Sequence, residues 1–127
     1  MRKHALVPVG LCCLLVGCGS GRPEAAPLTR SAFAADANRI CAAAKTHAER
    51  LAGLSTLRAP ASEGALVARW LQAEKDAVAA LKSAENGSKA DGDPLVLLAI
   101  AEGKATGYAR RTGADTCAMR TIGTMPP

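Results

Sequence analysis

The chain is poor in aromatic residues and carries no dense run of like charge. Its 127 residues include one Phe, one Trp and one Tyr. Trp70 and Tyr108 are isolated and lie in apolar helical patterns, which favours packing in a core over stacking on a ligand. The formal charge of +5 is not gathered into a Lys/Arg block. Because nucleic-acid-binding surfaces cluster their positive charge on one face, we expect no nucleic-acid partner.

Side-chain combinations that perform catalysis are also missing. The sequence has no glycine-rich phosphate loop. The serines that we considered lack the nucleophile-elbow and Ser-x-x-Lys contexts of acyl transfer; they are Ser55, Ser62, Ser83 and Ser88. The carboxylates, Glu74 and Glu85 among them, fall on positions that the periodicity assigns to solvent, so no acid/base pair is predicted. We therefore expect a protein that is not an enzyme and that needs no cofactor.

No apolar run is long enough to cross a membrane, but a short one lies near residue 1. Residues 5–16 are apolar, about 12 residues, which is typical of a signal-peptide core and too short for a transmembrane helix. Arg2 and Lys3 precede this run. It ends in Leu-Val-Gly-Cys at residues 15–18, which resembles the lipobox of bacterial lipoprotein signal peptides.

That resemblance implies that residues 1–17 are a signal peptide and that Cys18 carries a thioether-linked diacylglycerol. Acylation, with palmitate for example, would then hold the protein at the outer face of the cell membrane. Two alternatives stay open, an ordinary secretory signal and a transmembrane anchor. The abrupt end of the apolar run at residues 19–27 disfavours the anchor.

The cysteine count predicts one disulfide. Of five cysteines, Cys12 and Cys13 leave with the signal peptide and Cys18 is consumed by lipid, so Cys41 and Cys117 remain. An exported chain folds in an oxidising compartment, where an isolated pair forms a bridge. A redox pair is the alternative, but it favours closely spaced cysteines such as Cys-x-x-Cys. We expect a structural Cys41–Cys117 bridge.

After cleavage about 110 residues remain, enough for one domain. Removing Arg2 and Lys3 lowers the formal charge by two, to +3, since every Asp and Glu follows Cys18. Residues 18–28 contain Pro23 and Pro27 and no apolar period, which predicts a lipidated, flexible tether. Residues 29–127 are the predicted helical domain.

The first predicted helix has an apolar stripe from Phe33 to Leu54, with Ser31 as N-cap and Gly53 as the stop. His47 lies in this stripe. As a metal ligand it would need helpers three or four residues on, and those positions are Arg50 and Leu51. A packed, hydrogen-bonded histidine is therefore expected.

The second predicted helix opens near Pro60, with Ser62 as an alternative N-cap, and ends at residues 86–88. The third has Asp93 as N-cap, Pro94 in its first turn and Gly113 at its end. Its apolar run 95–100 is predicted to be buried together with Ala101 and Ala105. The pattern contains no strand signal. Short loops between three helices predict an all-α, three-helix up-down-up bundle, preceded by the signal helix. At 1.5 Å per residue, this topology brings Cys117 to the height of Cys41.

Residues 35–41 (Ala-Asp-Ala-Asn-Arg-Ile-Cys), residues 69–71 (Arg-Trp-Leu) and Gly113 four residues before Cys117 together resemble small secreted or lipid-anchored helical proteins of actinobacteria. The abundance of Ala and Arg fits such a GC-rich genome. The resemblance implies the helical fold and the disulfide. It implies no catalytic or binding residues.

Two functions are compatible with these features. One is a non-catalytic interaction or accessory module, anchored in the membrane through Cys18 and bound to another envelope protein. The other is a carrier or sensor of a small ligand or metal, with a cavity between alanine-rich helices. Met119 and Met125 are soft ligands that suit copper, but no histidine accompanies them. A cavity favours the second function, and a tight core with an exposed apolar patch favours the first.

Overall fold

The computed structural model describes residues 28–119, and this part of the chain is all-helical. It contains five helices: α1 (Arg30–Ala43), α2 (His47–Leu54), α3 (Gly64–Glu85), α4 (Pro94–Thr112) and α5 (Asp115–Met119). The predicted all-α bundle with one disulfide is confirmed. The predicted signal peptide, Cys18 and most of the predicted tether lie outside the described residues. No described helix is both long enough and apolar enough to cross a bilayer.

The first predicted helix is in fact two helices. The chain leaves helical geometry at residues 44–46 and re-enters it at His47. Thr46 caps α2 by accepting a hydrogen bond from the Glu49 backbone N–H at 3.1 Å, and the Glu49 carboxylate accepts from the Lys45 N–H at 2.7 Å. These caps satisfy backbone groups that a new helix start leaves without partners. The apolar spacing continues across the break, so periodicity alone did not reveal it.

Two other predicted helix starts are wrong. Thr29, and not Ser31, caps α1 through its hydroxyl, which accepts from the Ala32 N–H at 3.2 Å. The second long helix begins at Gly64 instead of Pro60, and Glu63, not Ser62, is its N-cap residue. Residues 60–63 form a turn in which the Glu63 N–H donates to the Pro60 carbonyl at 2.9 Å.

The limits predicted for the third long helix are confirmed in α4. The Asp93 side chain accepts from the Leu95 N–H at 2.9 Å, and Pro94 occupies the first turn. Gly113 ends the helix with φ of 82°, a left-handed conformation that glycine adopts without strain. Residues 114–119 then add α5, a short helix that the sequence pattern did not predict.

The core lies where α1, α3, α4 and α5 meet. Phe33 and Trp70, each 1 % exposed, pack edge to face with ring centroids 6.3 Å apart. Around them the helices approach through buried alanines, which are Ala37, Ala73, Ala105, Ala109 and Ala114. The Cys41–Cys117 disulfide joins α1 to α5 with a Cα–Cα distance of 5.1 Å. Small side chains at these positions therefore allow close helix packing.

Candidate functional site

Four ionisable side chains meet between α2, α3 and α4, and we call them the buried polar cluster: His47, Arg50, Glu74 and Glu102. Glu74 is 0 % exposed, and His47 and Arg50 are each 4 % exposed. Charged groups are rarely buried in this way unless they are paired, since burial removes their hydration.

The geometry of the cluster places an imidazole and a guanidinium beside carboxylates. His47 Nε2 lies 3.0 Å from Glu102 Oε1, and His47 Nδ1 lies 3.7 Å from Glu74 Oε2. On the other side, Arg50 Nη1 lies 3.6 Å from Glu74 Oε1. The same oxygen accepts a hydrogen bond from Trp70 Nε1 at 3.1 Å. Glu74 is therefore the centre of the cluster.

The prediction that the carboxylates lie on solvent faces is wrong for Glu74. Glu74 lies outside the apolar stripe predicted for this helix, and we therefore expected it on the surface. Glu74 follows Trp70 by four residues, however, so both side chains lie on one face of α3. That spacing was the available signal. The basic partners come from α2, and a single helical pattern does not show them.

The cluster is built to connect helices. Both ring nitrogens of His47 face carboxylates, one on α3 and one on α4. No Ser, Thr or Cys belongs to the contacts that define the cluster. Among residues 28–119, no three His, Cys, Asp or Glu side chains are placed to hold a metal ion.

A cleft lies next to the cluster, between the start of α2 and the α3–α4 hairpin. Its volume is about 430 Å³, within the range of small-molecule sites. Val78, Leu81 and Leu98 form its apolar walls, and Lys45 and Lys82 stand at its edge. His47 and Glu85 also line it. The cleft is open to solvent. Its apolar walls and its two lysines would complement an apolar molecule that carries a negative group.

The solvent side of α4 carries three of the four large apolar side chains that are exposed in the described part of the chain. We call it the outward face and define it by the exposed residues of α4: Leu95, Val96, Ala99, Ile100, Gly103, Lys104, Gly107, Arg110 and Arg111. At 100° per residue these positions fill one half of the helix circumference. Leu95, Val96 and Ile100 are 68 %, 55 % and 50 % exposed. Large apolar side chains that are exposed together on one helix face are typical of a binding surface.

The sequence pattern assigned the apolar run 95–100 to the buried side together with Ala101 and Ala105, and for the large residues this is only partly right. The structure buries the alanines of α4 and exposes Leu95, Val96 and Ile100. The alanine stripe packs on α3, which turns the bulky residues outward. A ranking by hydrophobicity alone would have placed Leu95, Val96 and Ile100 in the core ahead of the alanines.

The remaining predicted site residues are spread apart. Cys41 and Cys117 form the predicted bridge, whereas Cys18 and Met125 lie outside the described residues. Met119 is 74 % exposed and Tyr108 is half-buried.

Comparison of the chain with protein-family models, curated proteins and solved structures finds no match.

Proposed function

We propose that this protein is a lipid-anchored, non-catalytic binding module of the bacterial cell envelope, attached through Cys18 at the outer face of the cell membrane. The observation that carries the binding role is the outward face of α4, where three large apolar side chains are half or more exposed. A soluble domain seldom leaves such a patch uncovered without a partner. The suggested actinobacterial origin stays a prediction from the sequence resemblance.

The buried polar cluster supports a role without catalysis. His47, the histidine within the mature chain, is buried and faces two carboxylates. Its contacts explain its place in the fold as a link between α2, α3 and α4. The module then acts through surface contacts, and the cluster stabilises the scaffold that presents them.

Lipid attachment is tested by labelling cells with a palmitate analogue. We expect the wild-type protein to incorporate the label and Cys18→Ala to lose it entirely. Cys12→Ala is the matched control, because Cys12 lies in the apolar run before the lipobox and should leave labelling unchanged. Label in the Cys18→Ala protein would contradict the lipobox interpretation.

The binding role is tested by complementation of a deletion strain in the native host. Val96→Ser combined with Ile100→Ser should fail to restore the wild-type phenotype, since it removes the apolar patch. His47→Gln should restore it, provided that the variant is as stable as wild type. If His47→Gln is stable and still fails, the non-catalytic interpretation is wrong.

The cleft favours a second candidate, a carrier of a small amphiphilic anion. Its apolar walls and its two lysines would complement an acyl chain and an acidic group. Native mass spectrometry of the processed protein from its own host would detect a retained ligand. Leu81→Trp should fill the cleft and abolish retention, whereas Ala79→Trp, at an exposed position outside the cleft, should leave it intact.

A further inference from the structure

We propose that the outward face of α4 docks on an anionic lipid bilayer, with Leu95, Val96 and Ile100 inserted among the lipid headgroups. This inference rests on the proposed lipid anchor and names the partner of the proposed binding surface. Two independent properties of the described residues support it, the charge of the face and its position relative to the start of the helical domain.

The charged side chains of the outward face are all positive, whereas Asp76 and Asp91 line a pocket beside Ile100 and Lys104. Besides its apolar residues the face presents Lys104, Arg110 and Arg111, and none of its nine positions is acidic. The one acidic residue within α4, Glu102, is half-buried and contacts His47. Asp93 precedes the helix and accepts from the Leu95 N–H. Apolar side chains flanked by cations on one helix face are typical of segments that bind negatively charged membranes.

The shape of the face fits a planar surface. Ala99, Gly103 and Gly107 occupy its middle, and a Cβ atom added at either glycine would meet no atom within 4 Å. These small residues leave no bulk between the apolar end and the cationic end of the helix. The helix axis can therefore lie parallel to the bilayer, with both ends of the face at headgroup level.

The start of the helical domain lies beside the cationic end of this face. The Arg30 guanidinium donates a hydrogen bond to the Arg111 carbonyl, which places the beginning of α1 at the last turn of α4. Leu28 packs against the same core. Leu28 follows Cys18 by ten positions, and an extended chain of ten residue steps covers at most about 35 Å.

The outward face from Leu95 to Arg111 is about 24 Å long at the helical rise per residue. A lipid on Cys18 therefore keeps the whole face within reach of the leaflet that holds it. The anchor raises the local concentration of lipid at the face and so adds to the affinity that the face has by itself.

Vesicle cosedimentation tests docking without the anchor. The probe protein is the processed chain, residues 18–127, with Cys18→Ser, which retains all five described helices and both bridge cysteines. We expect it to bind vesicles made of equal parts of phosphatidylglycerol and phosphatidylcholine. Binding to vesicles of phosphatidylcholine alone should be weaker by a factor of about 100, as expected for three cations that each contribute about fivefold.

Two variants locate the binding surface. Val96→Ser with Ile100→Ser should weaken binding by about tenfold or more, because two apolar side chains no longer insert. Arg110→Gln with Arg111→Gln should weaken it by about 25-fold and flatten its dependence on salt. The matched control is Arg69→Gln with Lys75→Gln, which removes the same charge from exposed positions of α3 and should change binding little.

Three results would overturn the inference: no binding to anionic vesicles, equal binding to neutral vesicles, or equal weakening by the α3 control. Analytical ultracentrifugation of the same proteins adds a further outcome. The protein could fail to bind vesicles but associate with itself, and Ile100→Ser could abolish that association. This result would assign the face to a second copy of the chain. Palmitate labelling at Cys18 is read separately, so failure of the anchor and failure of docking give different results.

Discussion

At the residue scale, Glu74 is a fully buried carboxylate with three polar neighbours. Its carboxylate is 0 % exposed and lies near groups of three residues, His47, Arg50 and Trp70. A buried ion pair contributes little net stability compared with an apolar replacement, but the loss of one partner leaves the other charge without compensation. The importance of Glu74 thus depends on the groups that remain when it is removed.

We predict that Glu74→Ala lowers the free energy of unfolding by about 3–5 kcal/mol. The substitution removes the carboxylate beside Arg50 and the acceptor of the Trp70 N–H. Glu74→Gln keeps an oxygen acceptor but no charge, so its loss should be intermediate. Urea unfolding followed by circular dichroism measures both.

The control for this prediction is Glu85→Ala, in the last turn of the same helix. Glu85 is exposed and forms no ion pair within 4.0 Å in residues 28–119, so its removal should change stability by no more than about 0.5 kcal/mol. Equal stability of the Glu74→Ala and Glu85→Ala proteins would mean that the buried polar cluster does not stabilise the fold.

At the element scale, the close approach of α1 and α2 depends on Gly53. A Cβ atom at this position would lie 2.6 Å from Ile40 Cγ2, and Ile40 Cγ1 and Cβ are also within 4 Å. Ile40 is β-branched, so its side chain has little rotational freedom to move away. The two short helices can cross here because one of them has no side chain at the contact.

We predict opposite effects for one substitution at two helical glycines. Gly53→Ala should destabilise the protein by about 1–3 kcal/mol, since the added methyl group overpacks the contact with Ile40. Gly103→Ala should stabilise it by about 0.5–1 kcal/mol, because nothing lies within 4 Å and alanine favours the helix. Thermal unfolding of the two variants gives the sign directly. A gain at Gly53 would show that α1 and α2 separate easily.

The helix limits show what the sequence can predict. The limits of α4 follow from local interactions. The Asp93 side chain accepts a hydrogen bond from the Leu95 N–H, and Gly113 adopts a left-handed conformation. The break before α2 was missed because the Thr46 and Glu49 caps compete with an unbroken apolar period. The burial of Glu74 depends on α2, a different element, so no pattern within α3 alone determines it.

At the scale of the whole molecule, the disulfide connects the two ends of the described chain. Cys41 in α1 and Cys117 in α5 are 76 residues apart, and they close a loop that contains α2, α3 and α4. The bridge was predictable because it follows from the number of cysteines and the chemistry of export. The contacts beside the bridge were not predictable from the sequence. Asn38 also joins these helices, because its side-chain oxygen accepts a hydrogen bond from the Thr116 N–H at 2.9 Å.

We predict that Cys41→Ala with Cys117→Ala lowers the free energy of unfolding by roughly 4 kcal/mol, chiefly because the unfolded chain regains the freedom that a loop of this length had lost. Asn38→Ala is the control for the same helix contact. It removes one hydrogen bond and leaves the loop closed, so its cost should be about 1 kcal/mol. Urea unfolding without reductant separates the two values. In addition, thiol titration of the exported, denatured and unreduced protein should find neither Cys41 nor Cys117 free. Two reactive thiols would contradict the bridge itself. If the double substitution lowers the free energy of unfolding no more than Asn38→Ala does, the bridge does not stabilise the fold, and packing holds α5 against α1.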